Sequence, residues 1–168
     1  MPLQARARSS GYLFVICLLV WLGLTSSLQP QEVLVGMGIC AVLSLWLGAH
    51  YSRLGLPALG LKRLLFFFIY LAVLGFEIVT ANFDVAYRVL HPAMPIRPGV
   101  VVIRTGLTSD IARMILANSI TLTPGTFTLD VVGDRLLIHW INVRTEDVEE
   151  ASRLIGERFE KYLRVIFE

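Results

Sequence analysis

From Lys62 to Leu90 the chain reads KRLLFFFIYLAVLGFEIVTANFDVAYRVL, with lipid-soluble sequence before it and water-soluble sequence after it. At 100° per residue, Arg63, Tyr70, Thr80, Ala81, Asp84 and Arg88 fall within about 60° of Glu77, with Lys62 at the same limit. Leu65, Phe68, Ala72, Gly75, Ile78 and Val79 take the opposite face. This is a membrane helix with a polar stripe. What each face meets constrains how the rest of the chain can be arranged.

Composition agrees with a membrane class. Hydrophobic residues make up 55% and charged residues 17%, against roughly 25% charged in ordinary soluble domains, and the mean hydropathy is +0.68. A length of 168 residues holds a few spans and one small domain, which suits a subunit or an anchored domain better than a complete transporter. The net charge of +2 and the lack of a basic patch interleaved with aromatics argue against nucleic acid. Cys17 and Cys40 both lie inside apolar runs, so neither a disulfide framework nor a zinc site is expected.

Two uncharged runs precede the long helix, Gly11–Leu28 and Val33–Ala49. The first follows Arg6 and Arg8, as in a signal peptide, but it is longer than a usual signal core and Ser26-Ser27-Leu28 makes a weak cleavage site. Spans over about 11–28 and 33–49 are expected. Gly36, Gly38, Ala41, Ser44 and Gly48 supply the small residues of a close helix interface, so the two runs should form a hairpin. Arg53, Lys62 and Arg63 follow it, while the turn ahead of Val33 carries only Glu32. The positive-inside rule puts the N-terminus and the His50–Arg63 loop in the cytoplasm. The apolar run Leu64–Phe76 belongs to the class of about 10 to 14 residues that lies at interfaces, re-enters or packs in protein. A third helix over 62–90 that crosses fully puts the C-terminal domain outside, whereas one that lies at the inner interface or dips and returns leaves it cytoplasmic, and the second arrangement is expected.

His91–Gly99, HPAMPIRPG, is read as a linker, its prolines recurring every third residue as in an extended polyproline II spacer. A small α/β domain over 100–168, of order β-α-β-β-α, should follow. Val100–Arg104 is a β-branched strand candidate. Thr108, Ser109 and Asp110 offer N-cap chemistry for a helix ended by Thr123-Pro124-Gly125-Thr126, although Ile120-Thr-Leu-Thr also alternates like a strand. Phe127, Leu129 and Val131 alternate with polar residues, and Gly133-Asp134 suits a hairpin turn into Leu136–Val143. One last helix is expected, capped by Thr145, with acidic residues in its first turns, basic residues at its end, and an apolar stripe from Val148 to Ile166. Three strands covered by helices on one face result.

No phosphate loop, HExxH or nucleophile elbow occurs. His91 and His139 suit structural or solvated roles. The hydroxyl run Ser119, Thr121, Thr123, Thr126 and Thr128 lacks a general base, so caps and strand hydrogen bonds explain it. No enzyme activity, cofactor or metal site is expected. Beyond its first turn the long helix carries only Glu77, Asp84 and Arg88 as ionisable groups, candidates for a subunit interface or a proton relay. Asp84 can pair with Arg88 at i, i+4, and Glu77 can face headgroups or another subunit.

Ile96-Arg97-Pro98-Gly99 followed by Asn118-Ser-Ile-Thr121-Leu-Thr123-Pro124-Gly125-Thr126, with Ala81-Asn82 in the Glu77–Asp84 stretch, resembles the E subunit of the multisubunit Mrp-type (Mnh/Pha) cation/proton antiporters. The resemblance covers nearly the whole chain. It implies a complex in a prokaryotic cytoplasmic (inner) membrane that exchanges Na+, sometimes K+, for protons. The ion pathways then belong to large subunits related to the proton-pumping subunits of respiratory complex I. This chain would be an accessory subunit needed for assembly or activity, with the other subunits and lipid as its partners. The alternative is a membrane-tethered regulatory domain that binds a ligand.

Overall fold

The computed structural model describes residues 3–53 and 60–168, with side chains from 10–48 and 60–168. Two compact units emerge, Met1–Lys62 and Arg63–Glu168. Part of the expected basic loop, 54–59, and the side chains of Arg6, Arg8 and Arg53 lie outside the described residues.

The first unit is a hairpin of α1 (Leu3–Thr25) and α2 (Pro30–Arg53). Helix α1 stops at Thr25, short of the expected Leu28, because Ser26 takes a left-handed φ of 48° and its hydroxyl donates to the Gly23 carbonyl. Trp21 Nε1 donates to the Glu32 carbonyl at 3.2 Å across the turn. The expected small-residue interface is present at Gly36, where an added Cβ would run into the Trp21 ring, and at Gly48, where it would meet Ser10. Gly38 faces open space. Among the described residues, Pro30–Gly48 and Leu61–Leu90 are long and apolar enough to cross a membrane, and Ser10–Thr25 is a shorter apolar helix.

The second unit holds all but the first two residues of α3 (Leu61–Leu90), followed by β1 (Gly99–Arg104), α4 (Asp110–Leu122), β2 (Thr126–Val132), β3 (Arg135–Trp140), α5 (Val148–Ile155) and α6 (Glu157–Phe167). The strands form one antiparallel sheet in the order β1-β3-β2, with Val102 opposite Leu137 and Phe127 opposite His139. Helix α5 lies against β1, α4 against β2 and α6 against α4. Val101, Ile103, Leu136 and Ile138 point from the sheet into a core with Leu116, Ile120, Phe159 and Leu163. Burial of each such side chain contributes about 1.5–3 kcal/mol. The other sheet face leaves Val100, Val102 and Leu137 exposed.

Four local expectations change. The last helix is two helices, broken at Gly156, which is at once the C-cap of α5 and the N-cap of α6. A Cβ there would press on the Ser152 carbonyl and touch Ile103, so the break brings the backbone down onto β1. Asp147 rather than Thr145 caps α5, accepting from the Glu150 N–H at 2.8 Å, while Thr145 accepts from the Asp147 N–H and shapes the turn ahead. The 91–99 segment is not an extended spacer. Met94 adopts φ 40°, its N–H donates to the His91 carbonyl, and Arg97 pairs in parallel with Asn142. These hydrogen bonds outweigh the polyproline preference of three separated prolines, which brings no internal hydrogen bonds of its own. The alternation of Ile120–Thr123 is not a strand either: α4 continues to Leu122.

Candidate functional site between the long helix and the α/β domain

The polar stripe of α3 is turned toward the chain's own α/β domain. Near its start Tyr70 is buried and joins the domain core, with Phe66 and Leu74 packed beside it. Its hydroxyl meets Ser119 Oγ on α4. Ser119 already donates to the Ile115 carbonyl at 2.6 Å, so the tyrosine hydroxyl is the donor of this pair. Every polar atom of the pair is thereby partnered, as burial demands.

About two turns further, Glu77 accepts from Arg158 Nη1, and the same guanidinium donates to the Leu154 carbonyl. Both side chains retain partial exposure, 22% for Glu77 and 40% for Arg158. At the far end Arg88 grips Asp84 with two parallel hydrogen bonds, Nε to Oδ2 at 2.8 Å and Nη2 to Oδ1 at 3.0 Å. Its Nη1 donates to the Pro95 carbonyl at 2.7 Å, and the Asn142 side-chain amide lies beside both terminal nitrogens, where its oxygen is the atom that can accept. The i, i+4 pairing of Asp84 with Arg88 was legible in the sequence. The Glu77 partner was not, because it lies 81 residues away.

The motif residues serve the same junction. Thr123 closes α4 through its N–H and its hydroxyl, the latter donating to the Ser119 carbonyl at 2.9 Å. Thr126 Oγ1 donates to the Ile120 and Thr123 carbonyls, and Thr121 Oγ1 accepts from the Thr128 N–H, tying α4 to β2. Pro124 and Gly125 form the turn between them. Gly125 has φ 92°, and its carbonyl accepts from the Ile141 N–H at 2.8 Å. A side chain there would touch Ile141 and Val85, so glycine lets the turn sit directly on α3. Ile96 and Arg97 bring the chain back to the domain, Arg97 exchanging backbone hydrogen bonds with Ile141 and Val143. Pro98 and Gly99 then feed β1, with Val143 packed close to Gly99.

Glu77, Thr80, Ala81 and Asp84 face Thr123, Pro124, Thr126, Trp140, Arg144 and Arg158 across an open cavity of about 280 Å³. Acidic and basic groups are balanced there. Arg88 reinforces one end from beside Asp84. Among the described residues no group of three or more histidine, cysteine or acidic side chains is gathered for a metal. The arrangement is suited to holding a helix against a domain, by one buried hydroxyl pair, one ion pair and one forked guanidinium.

A sequence model of a family described as Na+/H+ ion antiporter subunit matches residues 14–166. The chain is 36% identical over 156 residues to the E1 subunit of a Na+/H+ antiporter from Staphylococcus haemolyticus, covering 89% of this chain and 91% of that protein. It is 39% identical over 90 residues to the E subunit of a Na+/H+ antiporter from Bacillus subtilis, a match that spans 54% of this chain and 57% of the relative. A solved structure of the membrane-bound sulfane sulfur reductase, an archaeal respiratory membrane complex, contains a chain 48% identical to this one. It superposes with a TM-score of 0.77 over 95% of this chain and 99% of that chain.

Proposed function

The chain belongs to the family of Na+/H+ ion antiporter subunits, and from that membership we propose that it is an accessory subunit of a multisubunit cation/proton antiporter, needed for assembly or activity of the exchange. The observation that carries this reading is the family match over residues 14–166, joined by a relative of equal extent that is itself an antiporter subunit. The chain's own surface supports it. Helices α2 and α3 expose Leu34, Leu45, Trp46, Phe68, Phe76 and Phe83, apolar surface of the kind that marks an interaction face. Lipid and neighbouring subunits are the partners that such surfaces take. In this reading the protein assembles and positions rather than catalyses, and it resides in a prokaryotic cytoplasmic membrane with its α/β domain in the cytoplasm. Residues 1–90 form the membrane region, 91–99 the connection and 100–168 the domain. Glu77, Asp84 and Arg88 act at the junction as structural groups, and the ions travel through other subunits.

The likeness to a chain of a respiratory membrane complex favours a second reading, in which the same kind of subunit serves a complex with a redox module. Native purification with identification of all copurifying subunits separates the two. Membrane subunits alone, together with loss of sodium resistance on deletion, support the antiporter. Copurifying redox subunits support the respiratory complex. A free monomer whose deletion leaves sodium resistance unchanged overturns both.

A further inference from the structure

Helix α3 is apolar enough to span a bilayer, yet its polar flank meets the rest of the chain at four points along its length. Arg63 donates to the Glu168 carbonyl, Tyr70 is buried against Ser119, Glu77 pairs with Arg158, and Arg88 holds the Pro95 carbonyl. From Arg63 to Arg88 the helix rises about 37 Å at 1.5 Å per residue, which exceeds the roughly 30 Å of a hydrocarbon core. A crossing α3 would carry the Glu77–Arg158 pair, the polar cavity and the edge strands of the sheet into lipid, where unpaired backbone groups and charges are not tolerated.

The opposite flank is apolar over the same length. Leu65, Phe68, Phe76, Val79, Phe83 and Leu90 fall on one stripe, each more than half exposed. Polarity therefore divides the helix lengthwise and not between its middle and its ends, which is the pattern of helices that lie in the membrane interface.

We propose that α3 lies flat on the membrane, with its phenylalanine-rich stripe sunk at the boundary of headgroups and acyl chains and its polar stripe roofed by the α/β domain. The occupant of the stripe is lipid. The inference rests on the membrane residence of the hairpin and not on which complex the chain joins, so it stands or falls separately from the antiporter reading.

The test places a nitroxide label on single cysteines at Phe68, Phe76, Phe83 and Leu90, with Cys17 and Cys40 replaced by alanine. The native complex is reconstituted in phosphatidylethanolamine and phosphatidylglycerol bilayers, and collisions with oxygen and with a water-soluble nickel chelate report depth. All four sites are exposed, so the labels leave the core intact. A flat helix gives one shallow depth at all four, about 5–10 Å. A crossing helix gives depths changing by about 22 Å of rise between Phe68 and Phe83, which overturns the proposal. Low collision with both reagents at all sites means that protein covers the stripe, and overturns it equally.

Discussion

Glu77, halfway along α3, is held by Arg158 at the start of α6, so a carboxylate that reads in the sequence as an isolated charge is neutralised within the same fold. The pair is partly exposed, and its contribution is that of a screened surface ion pair, about 1 kcal/mol or less. Glu77→Gln should therefore lower the unfolding midpoint slightly, leave the complex assembled and leave cation/proton exchange intact in inverted vesicles. Loss of exchange in a fully assembled complex would instead make Glu77 a proton relay.

The buried pair is more sensitive than the charged one. Ser119→Ala strands the Tyr70 hydroxyl in the core and should cost about 1–3 kcal/mol, whereas Tyr70→Phe leaves Ser119 bonded to Ile115 and should cost about 1 kcal/mol. Thermal unfolding of the purified chain, followed by near-ultraviolet circular dichroism, should rank Ser119→Ala below Tyr70→Phe. The reverse order would show that the tyrosine hydroxyl has another partner.

Gly125→Ala forces a side chain into a φ of 92° and against Ile141 and Val85. A cost of about 1–3 kcal/mol is expected for the backbone conformation alone. Pro124→Ala should cost less, because only the preset φ is lost. Hydrogen exchange at the Ile141 amide, which donates to the Gly125 carbonyl, reads the effect locally and should accelerate in the glycine variant.

Burial pushes the Glu168 carboxyl upward, but hydrogen bonds from the Thr108 N–H and hydroxyl and the Ser109 N–H, with the charge of Arg164, hold it below its ordinary 4.5. A carboxyl lowered in the folded state stabilises above its unfolded value, and that stability fades as pH falls through the folded value. Wild type should thus lose stability below about pH 4.5 more steeply than Glu168→Gln. Unfolding midpoints measured between pH 3 and pH 7 check this, and parallel curves would refute it.

In the hairpin, Gly36→Val drives a side chain into the Trp21 ring, while Gly38→Val meets open space. Overpacking of this kind costs about 1–3 kcal/mol. The yield of monodisperse chain in mild detergent should fall for the first variant and hold for the second.

Much of the domain was written in local signals. Thr108-Ser109-Asp110 before a periodic run marked the start of α4, with Ser109 the cap, Pro124-Gly125 marked the turn after it, and Gly133-Asp134 marked the β2-β3 turn. The break at Gly156 left no such trace, because Ile155 and Phe159 stay in helical phase across it and one glycine costs a helix only about 1 kcal/mol. Met94 in the left-handed region has no local signal at all. The stripe on α3 was legible, but its occupant depended on Arg158 and Ser119, placed there by a tertiary fold that the local pattern of α3 does not encode.

The separation of Glu77 from Arg158 also sets a schedule. During synthesis α3 leaves the ribosome 81 residues ahead of the arginine that pairs with it, an interval of roughly 4–16 s at 5–20 residues per second. For that time Glu77 has no Arg158 to face, and a helix lying flat as proposed is held by its phenylalanine flank alone. Ser119 arrives midway, so the junction closes in sequence, the Tyr70 contact before the Glu77 one.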